Sequence, residues 1–96
     1  MPATLHDNPT LSRFEMDDDG ILAVANYRLA DNVMTLTHTE VPPQARGHGL
    51  ATRLVAGVLE VARARRLKVV AGCSFVRDFL AKHPEYHDLA PGALPD

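Results

Sequence analysis

Two adjacent prolines, Pro42 and Pro43, limit how this chain folds more than any other feature. Neither can donate a backbone hydrogen bond, so a strand that runs into them must end there. They separate an alternating N-terminal part from a helical C-terminal part. Before them, residues 11–17 alternate, and residues 21–29 set Ile21, Ala23, Ala25, Tyr27 and Leu29 on one side of a strand. Residues 33–41 add a third strand, rich in β-branched side chains. Asp17-Asp18-Asp19-Gly20 and Asp31-Asn32 lie between these stretches and supply tight turns. The expectation is an antiparallel three-stranded meander. Residues 1–10 hold two prolines and no sustained period, and they read as a loose lead-in.

After the prolines, Leu50, Leu54, Val55, Val58, Leu59 and Ala62 recur at helical spacing within residues 50–66. Arg53, Glu60 and Arg63 mark the opposite side. Gly57 costs this helix roughly 1 kcal/mol relative to alanine and points to a close backbone approach. Residues 67–71 form a short strand, and the consecutive Val69 and Val70 point to burial on both faces, as in an interior parallel strand. Strand 33–41, helix 50–66 and strand 67–71 make a βαβ unit, expected to be right-handed. A second helix covers residues 75–83, with Phe75, Val76, Phe79 and Leu80 sharing a face, and Pro84 stops it. Residues 90–96 read as a loose end. The fold class is α+β, in a single domain over residues 1–96.

Composition narrows the function classes. The net charge is −2, which argues against a nucleic-acid-binding surface. No apolar run approaches membrane-spanning length, and the N-terminus lacks a signal pattern. The lone Cys73 can form no intramolecular disulfide. A cytoplasmic location is the expectation.

The segment Gln44-Ala45-Arg46-Gly47-His48-Gly49 joins a strand to a helix N-terminus. A helix start has unpaired N–H groups and a partial positive charge, and glycines let a phosphate approach such a backbone. Arg46 can add a charge-assisted bond. By spacing alone, a simple turn and a phosphate cradle both remain open. It is not a dinucleotide loop, because the third glycine and the acidic ribose partner are missing. It is not a P-loop, because no Gly-Lys-Ser/Thr is present.

The pattern of Gln44, Gly47 and Gly49 resembles the signature of the GNAT superfamily of N-acetyltransferases. Together with His38-Thr39-Glu40-Val41-Pro42, Leu50-Ala51 and Cys73-Ser74-Phe75-Val76, it is similar to the very small, single-domain GNAT-like proteins. The resemblance covers roughly residues 13–87. It implies a minimal GNAT fold that uses acetyl-CoA as co-substrate. The pyrophosphate would lie on the glycine loop and the pantetheine arm beside the strand before it. Carried onto this chain, the CoA contacts are Val41, Gln44, Arg46, Gly47, His48, Gly49, Leu50 and Ala51. The chain also departs from larger GNAT enzymes. Only Asp17-Asp18-Asp19-Gly20 separates its first two strands, the strands after the second helix are missing, and that helix has no tyrosine to act as an acid. The acceptor side is therefore expected to be open, or completed by another chain.

Two residues are candidates for the chemistry. Cys73 ends the strand over 67–71. A helix starting near Ser74 would favour its thiolate, whereas a small buried hydrophobe is the alternative. The resemblance assigns it a functional role. His38 alternates onto the face of Met34 and Leu36, as a general base or as a hydrogen-bonded core residue. Glu40 follows on the same face as a weaker base. His83 and His87 are spaced for zinc, but Pro84 interrupts the helix and no third ligand is evident, so no metal is expected. Arg63, Arg65, Arg66 and Lys68 read as a solvated helix end. The expected activity is transfer of an acetyl group from acetyl-CoA to an amine on a small molecule or a protein. The alternative is a CoA-responsive binding module without turnover.

Overall fold

The computed structural model describes residues 4–45, 47 and 49–91. Its elements are β1 (Thr4–Asn8), β2 (Arg13–Asp18), β3 (Ile21–Ala30), β4 (Val33–Glu40), α1 (Leu50–Ala64), β5 (Lys68–Ala71) and α2 (Ser74–Lys82). Short 3-10 turns cover Pro43–Ala45 and Pro84–Tyr86. The strands form one sheet in the order β1-β2-β3-β4-β5. The first four pair antiparallel, and β5 joins β4 in parallel after α1.

Both turns expected between the central strands are two-residue hairpins. Asp19 and Gly20, then Asp31 and Asn32, all have positive φ, the conformation that matches the twist of the flanking strands. The Asp17 carboxylate steadies the first by accepting the Gly20 N–H at 2.9 Å. Helix α1 buries Leu50, Leu54, Val55, Val58, Leu59 and Ala62, the face read from spacing. Each fully buried leucine or valine there contributes about 1.5–3 kcal/mol. The helix stops because Arg66 turns left-handed at φ 59. Its N–H then reaches the Arg63 carbonyl at 3.1 Å, and that of Leu67 reaches Ala62 at 2.9 Å, pairing carbonyls the helix leaves free. Helix α1 packs across β2, β3, β4 and β5, and α2 packs beside it on β4 and β5.

Three expectations need correction. The lead-in is not loose over 4–8, so the meander has four strands rather than three. Strand β1 is held by few but specific contacts. Leu5 occupies the space left by Gly57, where a Cβ would stand 3.0 Å from its Cδ2. Asp7 accepts a bond from the Tyr27 hydroxyl at 2.8 Å and pairs with Arg65 at 3.0 Å. The second correction concerns β5, an edge strand covered on one face only. Val69 is 2% exposed and Val70 is 48% exposed, because among the described residues no second layer packs on the far side of the sheet. Third, Ala90 is buried rather than loose, next to Leu89, whose carbonyl accepts the Val69 N–H at 2.8 Å. Residues 1–3 and 92–96 lie outside the described residues.

Candidate functional site

The parallel ladder of β4 and β5 runs from Val33↔Lys68 to Leu36↔Ala71. It closes with the Gly72 N–H donating to the Leu36 carbonyl at 2.9 Å. Beyond this point β5 has ended, and β4 continues to Glu40 beside β3 alone. The other edge of β4 there has no strand partner among the described residues.

A bulge lies at the same place. Pairing with β3 passes from Tyr27↔Leu36 to Asn26↔His38, which leaves Thr37 as an extra residue on β4. One extra residue reverses the alternation of everything after it. Thr39, opposite the buried Ala25, now faces the helices. His38 and Glu40, opposite Asn26 and Val24, face away. The expectation that His38 and Glu40 share the face of Met34 and Leu36 is therefore wrong. The His38 side chain is 62% exposed, and its Nε2 lies 3.9 Å from Glu40 Oε2.

After Glu40 the prolines turn the chain. The Ala45 N–H donates to the Pro42 carbonyl at 3.0 Å, and Ala45 is buried. Gly47 and Gly49 have φ 85 and φ 75, a region closed to most side chains. Gly49 is the N-cap of α1, so no side chain caps the helix, and its first turn carries no acidic residue. Among the described residues the first amides of α1 thus have no side-chain partner, and they stand at the positive end of a 15-residue helix.

A cavity of ≈ 650 Å³ opens over these amides. The free edge of β4 from His38 to Val41 forms one wall, and Ala45, Gly47 and Gly49 another. Leu50, Ala51 and Thr52 supply the start of α1, and Phe75 of α2 closes the far side. Of the residues expected to contact CoA, Val41, Gly47, Gly49, Leu50 and Ala51 line this space. Gln44 is exposed and does not. Arg46 and His48 lie outside the described residues. Ala45 of the glycine segment also lines the cavity, and Thr39, Thr52 and Phe75 join the lining without having been expected there. Phe75 was expected on the buried face of α2, but it sits in the first turn, 37% exposed.

Cys73 is the N-cap of α2, which does begin at Ser74. Its thiol donates to Thr39 Oγ1 at 3.6 Å, so Thr39 touches both the cavity and the cysteine. Burial is the largest single influence on the thiol and pushes its pKa up. Hydrogen bonding from the Val76 backbone, the Thr39 hydroxyl, and the Phe75 and Thr39 backbones together outweighs burial, and the net shift is downward. The thiol makes no conventional capping bond, yet the first amides of α2 are among the groups that favour its ionised form.

Among the described residues, no group of three or more His, Cys, Asp or Glu is placed to hold a metal. His83 stacks on Phe79 at 4.0 Å, and His87 Nε2 lies 2.8 Å from the Leu80 carbonyl oxygen. The basic run is engaged at the other end of α1. Arg63 grips the Asp88 carboxylate at 2.8 and 3.1 Å, and Lys68 donates to the Asp88 carbonyl at 3.0 Å.

The model of the family described as GCN5-related N-acetyl-transferase matches residues 13–89. A GCN5-like protein from Staphylococcus aureus, assigned as an N-acetyltransferase and solved in solution by NMR, has the same fold with a TM-score of 0.71. It is 32% identical, and the match covers 91% of this chain and 86% of that chain. The family match runs from β2 through α2 and takes in the bulged end of β4, the glycine loop and Cys73. The chain belongs to the GCN5-related N-acetyltransferase family.

Proposed function

We propose that this protein moves the acetyl group of acetyl-CoA to a primary amine. One observation carries the reading: an uncapped helix start opens into a groove walled by an unpaired strand edge. Pyrophosphate suits the α1 amides, where anions are favoured and no acidic side chain competes. The amide-bearing pantetheine arm suits the free edge of β4, along which it pairs like an added strand. Running back along β4 from the glycine loop, the arm brings the thioester toward Thr39 and Cys73.

In the transfer, the neutral amine nitrogen attacks the thioester carbonyl. The C–N bond forms, a backbone N–H on the free edge of β4 stabilises the oxyanion, and the C–S bond then breaks. The amine gives up its proton to a base, for which His38 and Glu40 stand at the end of β4. The departing CoA thiolate takes a proton in turn, with Cys73 as donor. On the alternative route the Cys73 thiolate attacks the thioester first and expels CoA, and the amine then attacks acetyl-Cys73 and releases the thiolate.

The test combines binding with turnover. Acetyl-CoA at a hundredfold excess over its Kd stabilises by about 2.7 kcal/mol, which raises the Tm of a domain this size by roughly 10 °C or more. Thiol release across a panel of amines then reports transfer. The absence of both a Tm shift and thiol release would refute the proposal. The second reading, a CoA-responsive binding module, is favoured by the thin acceptor side: no strand follows α2 among the described residues. Binding without thiol release from any amine would select it.

A further inference from the structure

The face of the sheet turned away from the helices carries a second concavity, of ≈ 570 Å³, a size common for small-ligand sites. Leu22 and Val24 of β3 form its floor, Pro42 and Pro43 one wall, and Arg13 and Glu40 its rim. The register accounts for this grouping. Val24 pairs with Glu40, so the two side chains share a face, and Leu22 lies two residues along the same side. The bulge at Thr37 puts Glu40 here; without it the carboxylate would face the helices. Glu40 and Val41 also line the groove over α1, so the two spaces meet at the end of β4.

The chemistry of this concavity is uneven. Leu22 is 40% exposed, one of the few large apolar side chains left in water. Arg13 is already engaged, its Nε 2.7 Å from Glu15 Oε2. Among the described residues the Glu40 carboxylate is paired with His38 alone, at a long 3.9 Å, and its side chain is 70% exposed, which suits it to take a cation. A carboxylate at the junction and an apolar floor leading away from it fit a ligand with a cationic head and an apolar tail. Side chains opposite one another lie about 5 Å apart and diagonal ones about 7–8 Å, so the floor from Glu40 to Leu22 matches about five or six methylenes.

We infer that this concavity seats the acceptor, and that the acceptor is a small primary amine on an unbranched apolar chain. Its ammonium group rests beside Glu40, and its tail lies on Leu22 and Val24 between the prolines and Arg13. This rests on the acetyl-transfer reading above.

The test uses the full chain labelled with 15N and saturated with CoA, titrated with n-hexylamine. Amides of Leu22, Val24 and Glu40 should shift. Leu22→Asn, at an exposed site that the fold tolerates, should weaken n-hexylamine about tenfold and leave acetyl-CoA affinity unchanged. Ethanolamine, which lacks the tail, should bind at least tenfold more weakly than n-hexylamine. Shifts confined to other surfaces, equal binding of ethanolamine, or no effect of Leu22→Asn would overturn the assignment. So would occupancy by a capped lysine peptide in place of n-hexylamine, which would make the acceptor a protein side chain. Failure of acetyl-CoA itself to bind would instead strike the acetyl-transfer reading.

Discussion

Helices α1 and α2 begin on opposite sides of one groove, and they use their unpaired amides differently. Helix α1 starts from Gly49 at φ 75, with no side chain and no acid in its first turn. Helix α2 starts from Cys73 in extended backbone, φ −124, with the thiol within the influence of the Phe75 and Val76 amides. Both starts share the same physics, a cluster of donors at a positive helix end. In α1 that field is left open to an anion from outside. In α2 it acts on a group of the protein itself. Under the proposed reading the α1 start receives a ligand, whereas the α2 start tunes a thiol.

The contrast breaks first at Ala51. Ala51→Glu places a carboxylate in the first turn of α1 and should stabilise the unliganded helix by a few tenths of a kcal/mol. It should lower acetyl-CoA affinity at least a hundredfold, about 2.7 kcal/mol, by calorimetry. Unchanged affinity would mean that no anion sits on these amides. Gly49→Ala comes next in size. A Cβ at φ 75 should cost about 1–2 kcal/mol of stability in urea unfolding. Cys73→Ser should act with the opposite sign. Serine in an extended N-cap accepts from the first turn, so stability should rise by about 0.5–1 kcal/mol with acetyl-CoA affinity unaltered. A stability loss would show that the thiol is held by packing rather than by its position at the helix start.

The smallest effect concerns pH. The folded thiol has a lowered pKa, so alkylation by iodoacetamide should reach half its plateau rate at a pH below that of an unfolded cysteine. The same shift contributes stability above the unfolded pKa, and this is lost as pH falls through the folded one. Thr39→Val removes the hydroxyl contact and should move the midpoint back up.

Much of this was visible in the sequence, for physical reasons that differ by region. The buried face of α1 follows from six apolar residues at one spacing, and the two-residue turns follow from Asp, Asn and Gly, which tolerate positive φ. Strand β1 was hidden because Leu5 is its one large apolar side chain and its polar ties reach to Tyr27 and Arg65, far along the chain. Its trace was Gly57, a costly residue in a helix that turns out to make room for Leu5. The bulge was hidden because Thr35, Thr37 and Thr39 keep the alternation of β4 unbroken in sequence while the pairing slips by one. That slip misassigned His38 and Glu40 and concealed the wall formed by Thr39. Val70 misled because two adjacent valines imply two covered faces only if a second layer exists to cover them.

In the proposed function, acetyl-CoA binds over the start of α1 and along the free edge of β4. Titrating acetyl-CoA into the 15N-labelled chain tests it directly. The largest amide shifts should fall on Gly47, Gly49, Leu50, Ala51 and Thr52, with a second set from Thr37 to Val41. Shifts clustered at the basic end of α1, around Arg63 and Lys68, or no shifts at millimolar acetyl-CoA, would contradict it.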